Sequence, residues 1–271
     1  MQLETSDQTV WRWRAYSTAI LLTLVAAVVF AAVRYDPGDP ASRLGGDYPA
    51  FYGAGSIVAE GDWDELYSAD RQQAAQAGFI DDEGGYLYFS YPPFVAAGYG
   101  VLSAPGDQWS FIIHTALMAA ALVGAVLLLW PWLARLNIPL VGVFVVALAF
   151  QPILRSVLGG QNTPLSLLLL AAAARLDREG RPLLAGLVAS LLLFKPQFGV
   201  VVLPLLIVAR QWRMLLGWAI GAATLFLSAA VLTGQDWLAD WWSQAGQFRD
   251  LNATANGVNF ISLPGLSLIH I

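Results

Sequence analysis

The sequence predicts an all-α membrane protein: a polytopic transmembrane helical bundle with one long outer loop, forming a single transmembrane domain over residues 1–271. Three observations predict it. Of 271 residues, 57% are hydrophobic and 12% charged, about half the charged share of a soluble domain. The apolar residues fall in blocks rather than in amphipathic periods. The charges are sorted too, since residues 34–92 hold eleven acidic and three basic side chains and the rest of the chain eight acidic and eleven basic. Lys and Arg mark the cytoplasmic side, so the loop at 34–92 is expected outside, in the periplasm, and the Arg-rich turns inside. The absence of cysteine excludes disulfides, thiol catalysis and thiolate metal sites. No basic stripe for nucleic acid is present.

The first block, residues 15–33, has 19 residues and no charge. As a helix it rises about 28 Å, enough to cross the hydrocarbon. Arg12 and Arg14 beside Trp11 and Trp13 read as a cytoplasmic basic flank with interfacial anchors. The apolar core of a signal peptide is shorter, roughly 7 to 15 residues, so an uncleaved anchor with a cytoplasmic N-terminus is expected. The loop that follows is long for a structureless connection and is expected to form short helices lying on the membrane, at 57–67 and 69–78. Residues 91–104 open with Tyr91-Pro92-Pro93 and read as a half-helix, too short to span. Residues 111–133 form a full span, followed by Arg135 in a tight turn. The runs at 138–150, 164–174, 182–194 and 198–209 are each too short to cross alone and read as two hairpins of short helices.

Placing the turns at Arg175, Arg178 and Arg181, and at Arg210 and Arg213, in the cytoplasm puts the connections bearing Arg155, Gln161 and Asn162, then Lys195 and Gln197, on the outer side. Short helices leave those tips below the outer surface, where non-helical backbone survives only if it lines a protein-enclosed or watery chamber. Residues 214–232 form another span, leading to a polar outer loop with Trp237, Trp241 and Trp242 suited to the interface. The chain ends at residues 263–271 without a further span, so a fragment lacking C-terminal spans is expected.

Lys195 is the only lysine, and it interrupts an apolar run that otherwise covers 182–209. A cation near mid-membrane costs at least about 2.5 kcal/mol and is usually tied to a partner or substrate. Two readings stand: a lysine snorkelling to water from a helix end, or a phosphate contact, with Pro196 freeing local backbone and Gln197 adding an amide. A second polar intrusion runs from Gln151-Pro-Ile-Leu-Arg155 to Gly159-Gly-Gln161-Asn162. Its glycines permit close approach by a ligand or another helix; a helix cap with a topological arginine is the other reading. Asp47, in Gly45-Gly-Asp47-Tyr-Pro-Ala-Phe51-Tyr52, lies where the chain returns to the membrane surface. A carboxylate there is a general base if it comes within hydrogen-bond reach of a hydroxyl. Composition does not select it from the other acids of the loop. Asp81, Asp82 and Glu83 lack a metal-ligand spacing and read as a solvated turn. His114, within a span, reads as core packing, and no metal site is expected.

The order of motifs carries a resemblance. Asp47-Tyr-Pro-Ala-Phe-Tyr52 follows the first span, then come a glycine-to-Leu-Tyr segment at 61–67 and Phe89-Ser-Tyr-Pro-Pro-Phe94. Gly160-Gln-Asn162 precedes an apolar run, and Ala185-Gly186 to Lys195-Pro196 and Asn259-Phe-Ile-Ser-Leu263 complete the series. In order and spacing these resemble the integral membrane glycosyltransferases of the GT-C class, and specifically glycosyltransferase family 87, which includes polyprenol-phosphate-mannose-dependent mannosyltransferases. The resemblance implies a GT-C-type bundle, a catalytic aspartate in the first outer loop, here Asp47, and a polyprenyl-phosphate sugar as donor with no cofactor. Lys195 first, and Arg155 second, are expected to bind the donor phosphate and stabilise its charge without a metal. Tyr52, Tyr91, Gln161, Asn162 and Gln197 are expected at the substrate. Stacking on sugar rings and packing at the interface explain the tyrosines equally well.

The expected function is transfer of a sugar, mannose by the resemblance, from polyprenyl phosphate to a lipid or glycan hydroxyl, with inversion. The site is expected at the outer face of the plasma (bacterial inner) membrane, with membrane lipids, donor and acceptor as partners. A secondary transporter is the main alternative, because broken helices and a buried cation also suit a substrate site at mid-depth. It predicts an internal repeat, which the sequence lacks. A non-catalytic membrane scaffold is the second alternative.

Overall fold

A computed structural model describes residues 11, 15, 18, 22, 46–80, 86–136, 138–150, 152, 153, 156 and 159–255. Among them every regular element is a helix and none is a strand, as expected where backbone polar groups must be satisfied within the segment. Of the first expected span only Ala15, Thr18 and Leu22 are described, and they are helical, as is Trp11. The rest of residues 15–33 lies outside the described residues, as do residues 81–85 and those after 255.

The described residues of the acidic segment, 46–80 and 86–92, are folded onto the bundle. Helix α1, Tyr48–Ala59, starts with a proline in its first turn, where the missing N–H breaks no helical bond. The helix expected at 57–67 is thus displaced toward the N-terminus, and the acidic stretch holds only a 3-10 turn, Trp63–Glu65. Glycine-rich α1 reads as loop in sequence, yet its glycines serve packing. A Cβ on Gly55 would meet the Tyr99 carbonyl carbon at 2.6 Å, and one on Gly53 would meet Gln76 Cγ at 2.8 Å. Helix α2, Ala69–Gln76, matches the helix expected at 69–78. Its fully buried Gln76 donates to the Leu87 carbonyl and accepts from the Leu87 N–H, both at 2.9 Å. Tyr48, Phe51, Phe79, Phe89, Tyr99 and Phe111 form one buried aromatic cluster that joins the loop to the helices below it.

Helix α3, Pro93–Ser103, is the half-length helix expected after Tyr91. Then follow α4, Asp107–Leu133, α5, Leu140–Ala149, and α6, Thr163–Arg178; α7, Pro182–Ser190, α8, Gln197–Val208, and α9, Trp212–Thr233, complete the bundle. Two segments, Trp109–Leu136 and Trp212–Thr233, are long and apolar enough to cross a membrane. Only 33% and 17% of their most apolar stretches are buried, which sets them apart from the core helices of a soluble protein. Val208 and Val231 are more than 80% exposed, so the outer surface of the bundle is apolar.

Two sequence expectations change here and one holds. Helix α6 continues through Arg175 and Arg178, which were expected in the turn. Arg175 Nε donates to Glu179 Oε1 at 2.7 Å and the Arg178 guanidinium lies 4.6 Å from the Trp132 ring centroid. Cations in the last turn also suit the helix dipole. The turn itself is made at Gly180, with φ +74°. The two short helices expected at 182–194 and 198–209 are found: α7 tightens into a 3-10 turn, Leu191–Phe194, and Lys195 is extended at φ −116°, ψ 96°. Last, the polar loop around Trp237 is a helix, α10, Trp237–Ala255, held to the outer loop by a Trp241 Nε1–H donated to the Ser90 carbonyl at 2.9 Å.

Neighbouring helices sort the charges by end. Gly124 faces Leu168 and Trp132 faces Arg178, so α4 and α6 run in the same direction. Gly217 lies against Leu183 and Gly221 against Ser190, so α7 and α9 also run together, opposite to α6. Arg175, Arg178, Arg181, Arg210 and Arg213 therefore gather at one end of the bundle. The connections carrying Gln161 and Lys195 lie at the other, with Asp47.

Candidate functional site

Asp47 sits immediately before α1, exposed, and its position is set by backbone rather than by its side chain. Its N–H donates to the Gly159 carbonyl at 3.0 Å. That approach needs glycine on both strands of chain. Gly46 has φ +43°, and a Cβ there would come within 2.8 Å of Gly159 O; Gly160 has φ +67°, and its Cβ would run into Tyr48. With residues 46–48 and 159–160 so docked, Gln161 Nε2 donates to Asp47 Oδ2. Tyr48 in turn shares a buried hydrogen bond with Ser110 Oγ of α4, which ties the base of Asp47 to the longest helix.

Lys195 lies at the same end of the bundle. The 3-10 turn brings it out of the apolar run half-buried, 5.8 Å from the Phe194 ring centroid, with Asp47 as its electrostatic partner. Tyr91 completes the group. Its ring packs against Phe51 and Phe89, at 4.8 and 5.6 Å between centroids, and its carbonyl accepts from the Tyr67 hydroxyl at 2.8 Å. Burial first, and then the Asp47 charge, hold the Tyr91 phenol above its ordinary pKa.

The remaining sequence candidates fall elsewhere. Tyr52 packs on Phe79 at 5.1 Å. Its phenol is raised by burial, then by Asp107 and Glu60, so its charged neighbours are not those of the Asp47 group. Gln197 is exposed in the first turn of α8. Asn162 is buried, and Arg155 lies outside the described residues. Among the described residues no cluster of three or more His, Asp or Glu side chains is placed to hold a metal.

Below this polar end, α3, α4, α6 and the 3-10 turn surround a cavity of about 690 Å³. Its lining is apolar apart from Tyr99, His114 and Asn162. His114 is fully buried, as core packing requires, with ring centroids of Tyr48 and Tyr99 at 4.9 and 5.7 Å. Its place on the cavity wall was not visible in sequence, because the helices that meet there are far apart in the chain.

A carboxylate, an amide donor and an ammonium lie at one end of an apolar helical bundle. The two exposed span-length helices point to a membrane protein. The model of glycosyltransferase family 87 matches residues 89–268, about two thirds of the chain, and the chain belongs to that family. It is a glycosyltransferase, and membership decides against the transporter reading. Tyr91, Gln161, Asn162 and Lys195 lie within the matched residues, Asp47 and Tyr52 ahead of them. No curated protein and no solved structure matches the chain.

Proposed function

We propose that this glycosyltransferase is a multi-pass membrane enzyme of GT-C type. It transfers a sugar, mannose by the resemblance, from a polyprenyl-phosphate donor to a hydroxyl of a lipid or glycan acceptor at the outer face of the plasma (bacterial inner) membrane. The observation that carries the proposal is the hydrogen bond between Asp47 and Gln161, residues distant in sequence, with Lys195 at the same end of the bundle where the Asp47 charge acts on it.

In the proposed step the acceptor oxygen attacks the anomeric carbon and a glycosidic C–O bond forms. The bond from that carbon to the phosphate oxygen breaks, its electron pair leaves with polyprenyl phosphate, and the hydroxyl proton passes to Asp47 as general base. Gln161 holds one carboxylate oxygen, which fixes the orientation of the other toward the acceptor. Lys195 stabilises the departing phosphate where water is scarce and a fixed charge is worth most. Attack opposite the phosphate inverts the anomeric centre. No cofactor or metal is assigned a part in this step.

The test uses membranes containing the complete protein, incubated with labelled polyprenyl-phosphate sugars, with identification of the product that becomes labelled. Asp47→Asn is expected to lower transfer by about 10²- to 10⁴-fold while membrane insertion is unchanged. Undiminished turnover in that variant removes Asp47 as the base.

A further inference from the structure

The cavity beneath the Asp47 group carries three polar side chains on an otherwise apolar wall. Tyr99, His114 and Asn162 all line it and are at most 9% exposed. The Asn162 side chain lies near the Tyr99 phenol. The Tyr99 hydroxyl lies 3.3 Å from His114 Nδ1. With the Tyr99 O–H donating to Nδ1, the imidazole is assigned the tautomer that carries its proton on Nε2. That leaves a buried donor, His114 Nε2–H, and a buried acceptor, Asn162 Oδ1, and neither has a hydrogen-bond partner. The carbonyls of Gly160 and Gln161 lie near the imidazole without completing a bond to Nε2.

One donor and one acceptor on the same wall are the complement of a hydroxyl, which accepts from Nε2–H and donates to Oδ1. The rest of the lining is hydrocarbon, including Leu117, Met118, Leu165 and Leu169, and it carries no Lys, Arg, Asp or Glu. A charged headgroup there would have no counter-charge and would bear the full cost of burial. Leu117 and Leu191 are nearly half exposed on the apolar surface, so the cavity opens toward the lipid. Its volume lies within the range of about 300–1,000 Å³ usual for small-molecule sites.

We propose that this cavity binds an uncharged lipid alcohol, whose hydroxyl bridges His114 and Asn162 while its chain lies among the leucines. The cavity lining carries no cation that a phosphate-bearing donor would need, and the proposal does not rest on the transfer reaction.

The experiment is photolabelling of the full chain in lipid nanodiscs with a diazirine-bearing hexadecanol, in competition with hexadecanol, hexadecane or hexadecyl phosphate. Labelling is expected on α3, α4 and α6, and the alcohol is expected to compete about tenfold better than the hydrocarbon, the discrimination set by one or two neutral hydrogen bonds. His114→Phe and Asn162→Leu are each expected to abolish that preference while keeping hydrocarbon competition. Equal competition by alcohol and hydrocarbon on the unmodified chain overturns the proposal, since water would then satisfy the two atoms equally well. Stronger competition by the phosphate also overturns it. The comparison on the unmodified chain decides even if a variant fails to fold, and because the readout is binding, failure to detect sugar transfer leaves it standing.

Discussion

Replacing Gly186 by alanine tests the seam between α7 and α9, which positions the turn that ends at Lys195. A Cβ at residue 186 would overlap the Met214 carbonyl oxygen and lie 2.7 Å from Trp218 N and 2.9 Å from Met214 C. All three atoms are backbone, so no rotamer change relieves the contact and the helices must separate. Overpacking of this kind costs about 1–3 kcal/mol, while alanine in place of glycine gains about 0.5–1 kcal/mol of helix propensity. A Cβ at Gly98 of α3 meets nothing within 4 Å, so Gly98→Ala takes the propensity gain alone. The difference between the two variants cancels propensity and isolates the steric cost, about 1–3 kcal/mol. The assay is reversible unfolding of the purified protein in mixed micelles. Gly186→Ala is expected below the parent and Gly98→Ala at or above it. Equal stability of the two variants would refute the close approach of α7 and α9.

Further outcomes follow from the same contacts. Lys195→Met is expected to lower sugar transfer by about 10²- to 10³-fold, as for loss of one preorganised donor at a developing charge, with unfolding temperature little changed; unaltered use of the phosphate-linked donor would remove Lys195 from the site. Gln76→Leu leaves the Leu87 N–H and C=O without their partner and is expected to cost about 1–3 kcal/mol, read by the same unfolding assay. Gly160→Ala forces a side chain into the left-handed region, at about 1–2 kcal/mol, and against Tyr48. Stability and transfer are both expected to fall, and a variant with parental stability would show that Gly160 is not confined by Tyr48.

Much of the helical order was legible because length and charge are one-dimensional quantities. The half-helix at Pro93, the long helix ending near Leu133 and the break at Lys195 follow from where apolar runs stop. What the sequence hid depends on contacts between distant segments. Glycine-rich Tyr48–Ala59 resembles a loop until Tyr99 and Gln76 are seen to require Gly55 and Gly53. The helix at Trp237 was masked by its polar composition, since its indoles face both the Ser90 carbonyl and the surroundings. Lys195 stood out as a lone cation in an apolar run, whereas Asp47 did not stand out at all, because its loop is full of acids.

Asp47 differs from those other acids in being placed by the main chain. Glu60 and Asp62 are paired with Arg71, so their charges are spent on each other at the surface. Asp47 instead has its backbone bonded to Gly159 and its carboxylate to Gln161, both from the connection between α5 and α6, while Lys195 comes from the break between α7 and α8. Three separate connections must therefore be in register for one carboxylate, one amide and one ammonium to meet. The close-packed glycines at 46, 160, 186 and 217 set that register, so the precision of the proposed reaction depends on helix packing as much as on the polar residues themselves. A base held this way keeps its position through its backbone and through Gln161, and in the proposed reaction it meets the incoming hydroxyl in a fixed place.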